Sequence, residues 1–361
     1  MNVCVIGLGL IGGSFALAVK KHSLAERVYG VDASPRNAAK ALELGLVDEI
    51  IEFDKALNVA NLIAIATPVD TIPQLAIKLL NRVSDKQVIM DMGSTKEELC
   101  ELISQHPHRS RFVAAHPMWG TEHSGPEAAV EGAFAGCNTV ICEDECSDKD
   151  AVAEVENIFE KIGSKIMYMS AEKHDTHAAY VSHISHITSF ILATTVLEKE
   201  RESDTILNLA GGGFESTVRL AKSSAEMWIP ILMQNKYNVL DVLREYIHQL
   251  EIFRKALEKD NRDEIRQTIE RANTIRKILD NRKILWTLRH LSLSPDLVVL
   301  RVRSKSSQQL KALLQQAKLM YCAQVYGNRV QNPEHSRVTA SRRCLGSQRH
   351  ASRQACQSLP R

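Results

Sequence analysis

The hexapeptide GLGLIG, residues 7–12, follows the apolar run NVCVI and opens the helical pattern GGSFALAVKK. Three glycines at this spacing restrict the chain more than any other segment does. The first permits a tight turn out of a strand, and the second leaves the backbone open to close approach. The third lets the next helix lie against that strand. A helix N-terminus aimed at such an open backbone attracts phosphate. The next strand candidate, RVYGVD, ends on Asp32, a carboxylate able to accept hydrogen bonds from both hydroxyls of a ribose. Strand, turn, helix and acid together read as a dinucleotide site formed by Gly7, Gly9, Leu10, Ile11, Gly12 and Asp32. Asp32 repels a 2′-phosphate, so NAD is expected over NADP, while Ser34 and Arg36 leave some room for the latter.

The same strand–helix alternation continues to about residue 169. NVCVIG, RVYGVD, NLIAIAT, QVIMDM, RFVAAH, NTVICE and KIMYM are short and apolar on both faces, as strands covered on both sides should be. Helix patterns lie between them, STKEELCELI and SDKDAVAEVENIFEKIG among them. The expected fold is α/β, a Rossmann-type doubly wound sheet followed by an all-helical domain. An open sheet of this kind binds its ligand at the strand ends, so Thr67 and Pro68 in IATPVD are expected on the nicotinamide side.

From Ser170, an N-cap candidate, SAEKHDTHAAYVSHISHITSFILATTVLEKE reads as one long helix, and no strand signal appears between 171 and 280. The expected domains are residues 1–169, binding the nucleotide; 170–280, helical, binding substrate and forming a homodimer through long apolar helices; and 281–361, a tail. The net charge of +2 is unevenly spread: residues 281–361 carry 15 Lys/Arg and 2 Asp/Glu, leaving residues 1–280 near −11. The tail reads as a disordered or non-native extension, the alternative being a basic arm for nucleic acid or anionic surfaces.

Hydrophobic residues at 44% and charged ones at 24% fit a globular chain. ITSFILATTVL, residues 187–197, reads as too short and too hydroxylated to span a bilayer, and MNVCVIGLG has no leader-like character. A cytoplasmic enzyme with no membrane or nucleic-acid partner is expected. Eight cysteines are scattered irregularly. Cys137, Cys142 and Cys146 match neither a zinc clip nor a disulfide frame, so reduced thiols and no metal are expected.

The ends of the later strands offer DMGSTKEE (91–98) and AAHPMWGTEHSG (114–125), the latter read as a loop leaving a strand. GLGLIGGS, DMGSTK, HPMWGTEHSG, SHISH and GGGFESTVRLAKS, in this order, resemble the prephenate/arogenate dehydrogenases of tyrosine biosynthesis. The resemblance covers about residues 1–280. It implies oxidative decarboxylation of a cyclohexadienyl acid: hydride leaves C4 for NAD, the ring carboxylate departs as CO2, and the ring aromatises. Such an enzyme needs a base for the C4 hydroxyl proton and cations for an anionic substrate.

The resemblance makes His116 the catalytic base, pre-aimed by its proline neighbour, and Ser94 the partner of the reacting hydroxyl. Ser94-Thr95-Lys96-Glu97 is also a capping-box pattern. His183 and His186, one turn apart, are placed over the substrate; no third ligand supports a zinc reading of that pair. Arg219, expected in a first helical turn capped by Ser216, matches the carboxylate-binding arginine, with Thr121 and Glu122 beside it and Glu122 as its gate. Prephenate carries a keto group where arogenate carries an ammonium. His186 is not acidic, which favours prephenate, with arogenate the alternative. Rival readings are a β-hydroxyacid-type NAD(P) dehydrogenase, which needs a lysine where this helix has histidines, and a non-enzymatic NAD-sensing or nucleic-acid-binding protein.

Overall fold

The computed structural model describes residues 1–203 and 205–290; the expected tail beyond His290 lies outside them. Its first compact unit, Met1–Asn261, is built on one eight-stranded sheet in the order β3-β2-β1-β4-β5-β6-β7-β8. The chain runs β1 (Asn2–Ile6), α1 (Leu10–Lys21), β2 (Arg27–Val31), α2 (Pro35–Glu43), β3 (Glu49–Ile50), α3 (Ala56–Val59) and β4 (Leu62–Ile65). It continues α4 (Ile72–Leu80), β5 (Val88–Asp91), α5 (Glu97–Ile103), β6 (Phe112–Pro117), β7 (Asn138–Cys142), α6 (Lys149–Lys161) and β8 (Lys165–Met169). All seven expected strands form. The eighth, β3, is two residues long and leaves no periodic trace.

The strand pattern divides the core by parity. Val3, Val5, Leu62, Ala64, Val113 and Ala115 face one side with Phe15, Phe134 and Phe159. Cys4, Ile6, Ile63, Ile65, Phe112 and Ala114 face the other, against Ile72, Leu80 and Leu99. Period-two alternation thus builds two cores, one on each face of the sheet.

One pairing departs from the all-parallel expectation. β6 and β7 run antiparallel, Ala114 opposite Cys142 and His116 opposite Val140. A parallel return needs a long crossover, usually a helix. The link from Met118 to Cys137 holds a 3₁₀ turn, Pro126–Ala128, and no such helix. β7 and β8, joined through α6, are parallel.

The helical part follows: α7 (Ala171–Ala178), a π-helical turn (Ala179–His183), α8 (Ile184–Ser203), α9 (Gly212–Val218), α10 (Ala225–Gln234) and α11 (Lys236–Glu258). Ser170 caps α7 as expected, its hydroxyl accepting the Lys173 N–H. By length and composition alone, Ala171–Glu202 is apolar enough to cross a membrane, which the shorter window 187–197 did not reveal. Four of its polar residues, His174, Asp175, His183 and His186, are hydrogen-bonded within this chain. The second unit begins at Arg262 with α12 (Arg262–His290), which runs past the expected tail boundary at 281.

Candidate active site

The glycine turn has the geometry its spacing implies. Gly7 sits at φ +93°, and a Cβ there would lie 2.6 Å from the Ala66 carbonyl oxygen. A Cβ on Gly12 would lie 1.9 Å from the Gly7 carbonyl oxygen, so only glycine lets α1 rest on this turn. At Gly9, by contrast, a Cβ would meet nothing within 4 Å. Gly9 is also the N-cap of α1 and gives it no side-chain cap, so Leu10 and Ile11 begin a helix whose first N–H groups lack one. Open backbone beside an uncapped helix start fits a pyrophosphate.

Asp32 accepts the Leu8 N–H on one oxygen and the Ser34 N–H on the other, each at 2.8 Å, which fixes the carboxylate at the end of β2. Of the two features that left room for NADP, Ser34 is engaged elsewhere and Arg36 stays exposed. The Ser34 hydroxyl caps α2 by accepting the Asn37 N–H, and Arg36 pairs with Glu127 at 3.8 Å. Beyond β4, Thr67 is half-buried and Pro68 exposed, and the Thr71 hydroxyl bridges the Thr67 hydroxyl and the Pro68 carbonyl, each at 2.8 Å.

His116 lies inside β6 rather than in a loop beyond it. Its backbone is therefore held by the sheet as well as by Pro117. Its Nδ1 is 2.8 Å from His174 Nε2, and His174 Nδ1 is 2.7 Å from Asp175 Oδ1. The Asp175 carboxylate also accepts the N–H groups of Lys96 (2.8 Å) and Glu97 (2.9 Å). Its oxygens act as acceptors toward both donors, and with the carboxylate accepting from His174 as well, the His174 proton belongs on Nδ1 and His174 Nε2 accepts. His116 must then donate from Nδ1, which leaves its Nε2 lone pair free. Burial, followed by the influence of His174, Lys96 and His183, pulls His116 well below the usual histidine range. It is a neutral base of defined tautomer.

Those two backbone donors also correct the capping-box reading. α5 starts at Glu97 with Lys96 at its N-cap and no cap from its own segment; Asp175, from α7, replaces it. Thr95 turns to Gln234 instead, donating to its Oε1 at 2.6 Å. Ser94 is half-buried, with no capping bond among the described residues. Beneath them Lys96 and Asp91 form a fully buried ion pair, and Asp91 also accepts the N–H of Ala115, the residue before His116. Burial raises the Asp91 carboxyl, against the pull of Lys96.

His183 and His186 share the region around Trp228. His186 stacks on the indole with centroids 3.6 Å apart, and His183 meets it edge-on at 5.8 Å. Asn235 Nδ2 donates to the Asp175 carbonyl (2.7 Å) and lies 3.1 Å from His183 Nδ1, so that nitrogen accepts. Burial lowers His183 to about 4. His186 Nδ1 lies 3.1 Å from the Ser182 carbonyl, which can only accept, so Nδ1 carries the proton. Burial also lowers His186, leaving Nε2 an acceptor. A neutral His186 therefore offers no donor to a keto oxygen, and its not being acidic is no argument for prephenate.

Arg219 reaches Glu122 at 2.6 Å, the pairing expected of a gate. Its setting differs from expectation: α9 begins at Gly212, Arg219 follows its end, and Ser216 donates within the helix to the Gly213 carbonyl. The positive helix end is thus not behind Arg219, and its attraction for a carboxylate rests on the guanidinium itself. Thr121, also half-buried, accepts the His123 N–H at 3.3 Å. The three cysteines singled out in the sequence do not act as a set: Cys146 groups with Glu143 and Glu145, and one Glu143 oxygen already accepts the Ala171 N–H.

The prephenate dehydrogenase nucleotide-binding domain profile matches residues 15–168, and the prephenate dehydrogenase dimerization domain profile matches residues 170–271. The prephenate dehydrogenase of Bacillus subtilis is 33% identical over 267 residues, covering 73% of this chain and 72% of the relative. The chain belongs to the prephenate dehydrogenase family. The cyclohexadienyl dehydrogenase of Zymomonas mobilis is 30% identical, covering 73% of this chain and 90% of that protein. Among solved structures, prephenate dehydrogenase from A. aeolicus in complex with hydroxyphenyl propionate and NAD+ superposes with a TM-score of 0.71 at 29% identity, covering 77% of this chain and 98% of that one.

Sequence reasoning missed His174, Asp175, Asn235, Gln234, Trp228 and the Asp91–Lys96 pair. A His-Asp dipeptide in the first turns of a helix is the one local signal among them. Asp91 and Lys96 lie five residues apart within DMGSTK, whereas the contacts of Gln234, Asn235 and Trp228 join segments far apart in sequence.

Proposed function

We propose that this chain is an NAD-dependent prephenate dehydrogenase that converts prephenate to 4-hydroxyphenylpyruvate. The observation that carries the proposal is the His116–His174–Asp175 chain at the end of β6, with Arg219 as a cation for the anionic substrate. NAD, when bound, takes the hydride from C4. Gly7, Gly9, Leu10, Ile11 and Gly12 would hold its pyrophosphate, Asp32 its ribose, and Thr67 and Pro68 its nicotinamide side.

His116 Nε2 accepts the C4 hydroxyl proton, and Ser94 orients that hydroxyl. As the bond between C1 and the ring carboxylate breaks, its electrons pass around the ring to the C4 oxygen and CO2 leaves. The His116 imidazolium returns the proton to that oxygen, so the step neither gains nor loses a proton overall. His174 and Asp175 hold the tautomer and stabilise the transient imidazolium. Arg219, with Thr121 and Glu122 beside it, binds a substrate carboxylate, and His183 and His186 line the side-chain region.

The preference for prephenate over arogenate rests on the B. subtilis and A. aeolicus relatives. The domain limits 1–169 and 170–280, a homodimer and a cytoplasmic setting belong to the same reading. Exposed Val181, Ile191, Leu197, Ile229 and Met233 supply apolar surface for a second copy, and the free thiols of Cys4, Cys100, Cys137, Cys142 and Cys146 suit a reducing compartment. The test is NADH formation from prephenate and from arogenate, with NAD and NADP compared. Turnover of prephenate with NAD is expected; no turnover of either substrate with either cofactor would contradict the proposal.

A further inference from the structure

Helix α10 spans two parts of the site. Trp228, in its first half, stacks on His186 and meets His183 edge-on. Gln234, its last residue, lies six positions on, about 9 Å along the axis. There the side chain crosses to the sheet. Thr95 Oγ1 donates to Gln234 Oε1 at 2.6 Å, and Gln234 Nε2 donates to the Val69 carbonyl at 3.2 Å. Val69 follows Thr67 and Pro68 in the loop after β4, and Thr95 follows Ser94 in the loop after β5. One amide therefore ties both loops to each other and to α10. The next residue, Asn235, is buried and bonded to the Asp175 carbonyl and His183.

We propose that Gln234 is a positioning residue that couples the nicotinamide-side loops to the substrate-side helix. Both ends of its amide are used, so neither loop can shift without breaking a bond to α10. A ligand that orders Trp228 and His186 orders the loops after β4 and β5 as well, and the second ligand then meets loops already in place. The inference rests on the reading that puts the nicotinamide beside Thr67–Pro68 and the substrate beside His186.

The test is calorimetric titration of the full chain with NAD, with and without saturating hydroxyphenyl propionate. In the parent each ligand tightens the other by about fivefold or more, the lower end of typical coupling between sites. Gln234→Met keeps the length of the side chain and removes both bonds. It is expected to reduce the coupling below about twofold, and Thr95→Val to weaken it by loss of one bond. Single-turnover NADH formation should fall about tenfold in Gln234→Met, as expected when reacting groups lose their alignment. Absence of coupling in the parent, or its survival in Gln234→Met whatever the change in Tm, would overturn the proposal. The control is His116→Asn: an inactive His116→Asn beside an unchanged Gln234→Met defeats this inference alone, whereas a fully active His116→Asn defeats the reading of the site beneath it.

Discussion

The rings of His116 and His174 approach nitrogen to nitrogen at 2.8 Å, one on a central strand and the other on the first helix after the sheet. Two neutral imidazoles can share that contact only if one donates and the other accepts. Asp175 decides which, because it accepts the Nδ1–H on the far side of His174. The base is thereby presented to the substrate with its lone pair outward. His174→Leu removes the acceptor and should lower kcat by about 10²-fold, within the range of general-base effects. His174→Gln retains an acceptor oxygen and should lose less than about tenfold. Equal kcat values for the two variants would show that the contact does not set the tautomer.

Arg219 and Glu122 form a half-exposed pair. Glu122 is held below the usual carboxylate range by its own backbone N–H and then by Arg219. Exposed pairs of this kind contribute little to stability, so the pair matters for access to the guanidinium. Arg219→Ala should raise KM for prephenate about 10- to 100-fold, the equivalent of one charge-assisted hydrogen bond. Arg219→Lys should recover only part of that loss, since lysine lacks the planar fork. Glu122→Gln should leave Tm unchanged and lower KM or leave it as it is. A rise in KM in Glu122→Gln would instead make Glu122 part of the binding surface.

How much of this was legible in sequence depended on the distance over which each signal acts. Seven strands were readable because each is apolar on both faces over four to six residues, whereas Glu49–Ile50 is too short to show a period. The antiparallel turn of β7 was not readable, since the motif-rich link from Met118 to Cys137 gives no sign that it lacks a crossover helix. His116, Arg219 and Glu122 were singled out through motifs quoted whole. Asp175 was missed because its partners at Lys96 and Glu97 lie 79 and 78 residues away. The capping box around Ser94 failed for the same reason: a better acceptor arrived from a distant helix. The stacking of His186 on Trp228 comes from the fold alone, and its tautomer depends on one backbone carbonyl, that of Ser182.

Substrate choice gives a direct test of His186. As a buried neutral acceptor it neither pairs with an ammonium as a carboxylate would nor donates to a keto group. His186→Asp places a negative charge there and should shift the ratio of kcat/KM toward arogenate by about tenfold or more, the scale of one charge-assisted bond. An unchanged ratio would remove His186 from the side-chain region.

His183 makes stability depend on acid. Its ordinary value is 6.5 and its folded value about 4, because burial disfavours the charged ring. Between those values the unfolded chain binds a proton that the folded chain refuses, so stability falls as pH drops from 6.5 toward 4 and is unaffected above that window. The full effect is about 3 kcal/mol. Tm measured from pH 8 to pH 4 should therefore decline below about 6.5, and His183→Asn should flatten part of the decline. A parent Tm independent of pH across that window would contradict the burial of a neutral His183.

The most direct measurement is turnover of prephenate with NAD by His116→Asn against the parent, as a function of pH. The parent should hold a level kcat/KM through neutral pH and lose it only below the usual histidine range, because burial, then His174, Lys96 and His183, keep His116 unprotonated. The variant should be slower by about 10²–10⁴-fold, lose the acid limb and still bind NAD. A His116→Asn protein as fast as the parent across neutral pH would contradict the assignment of His116 as the base.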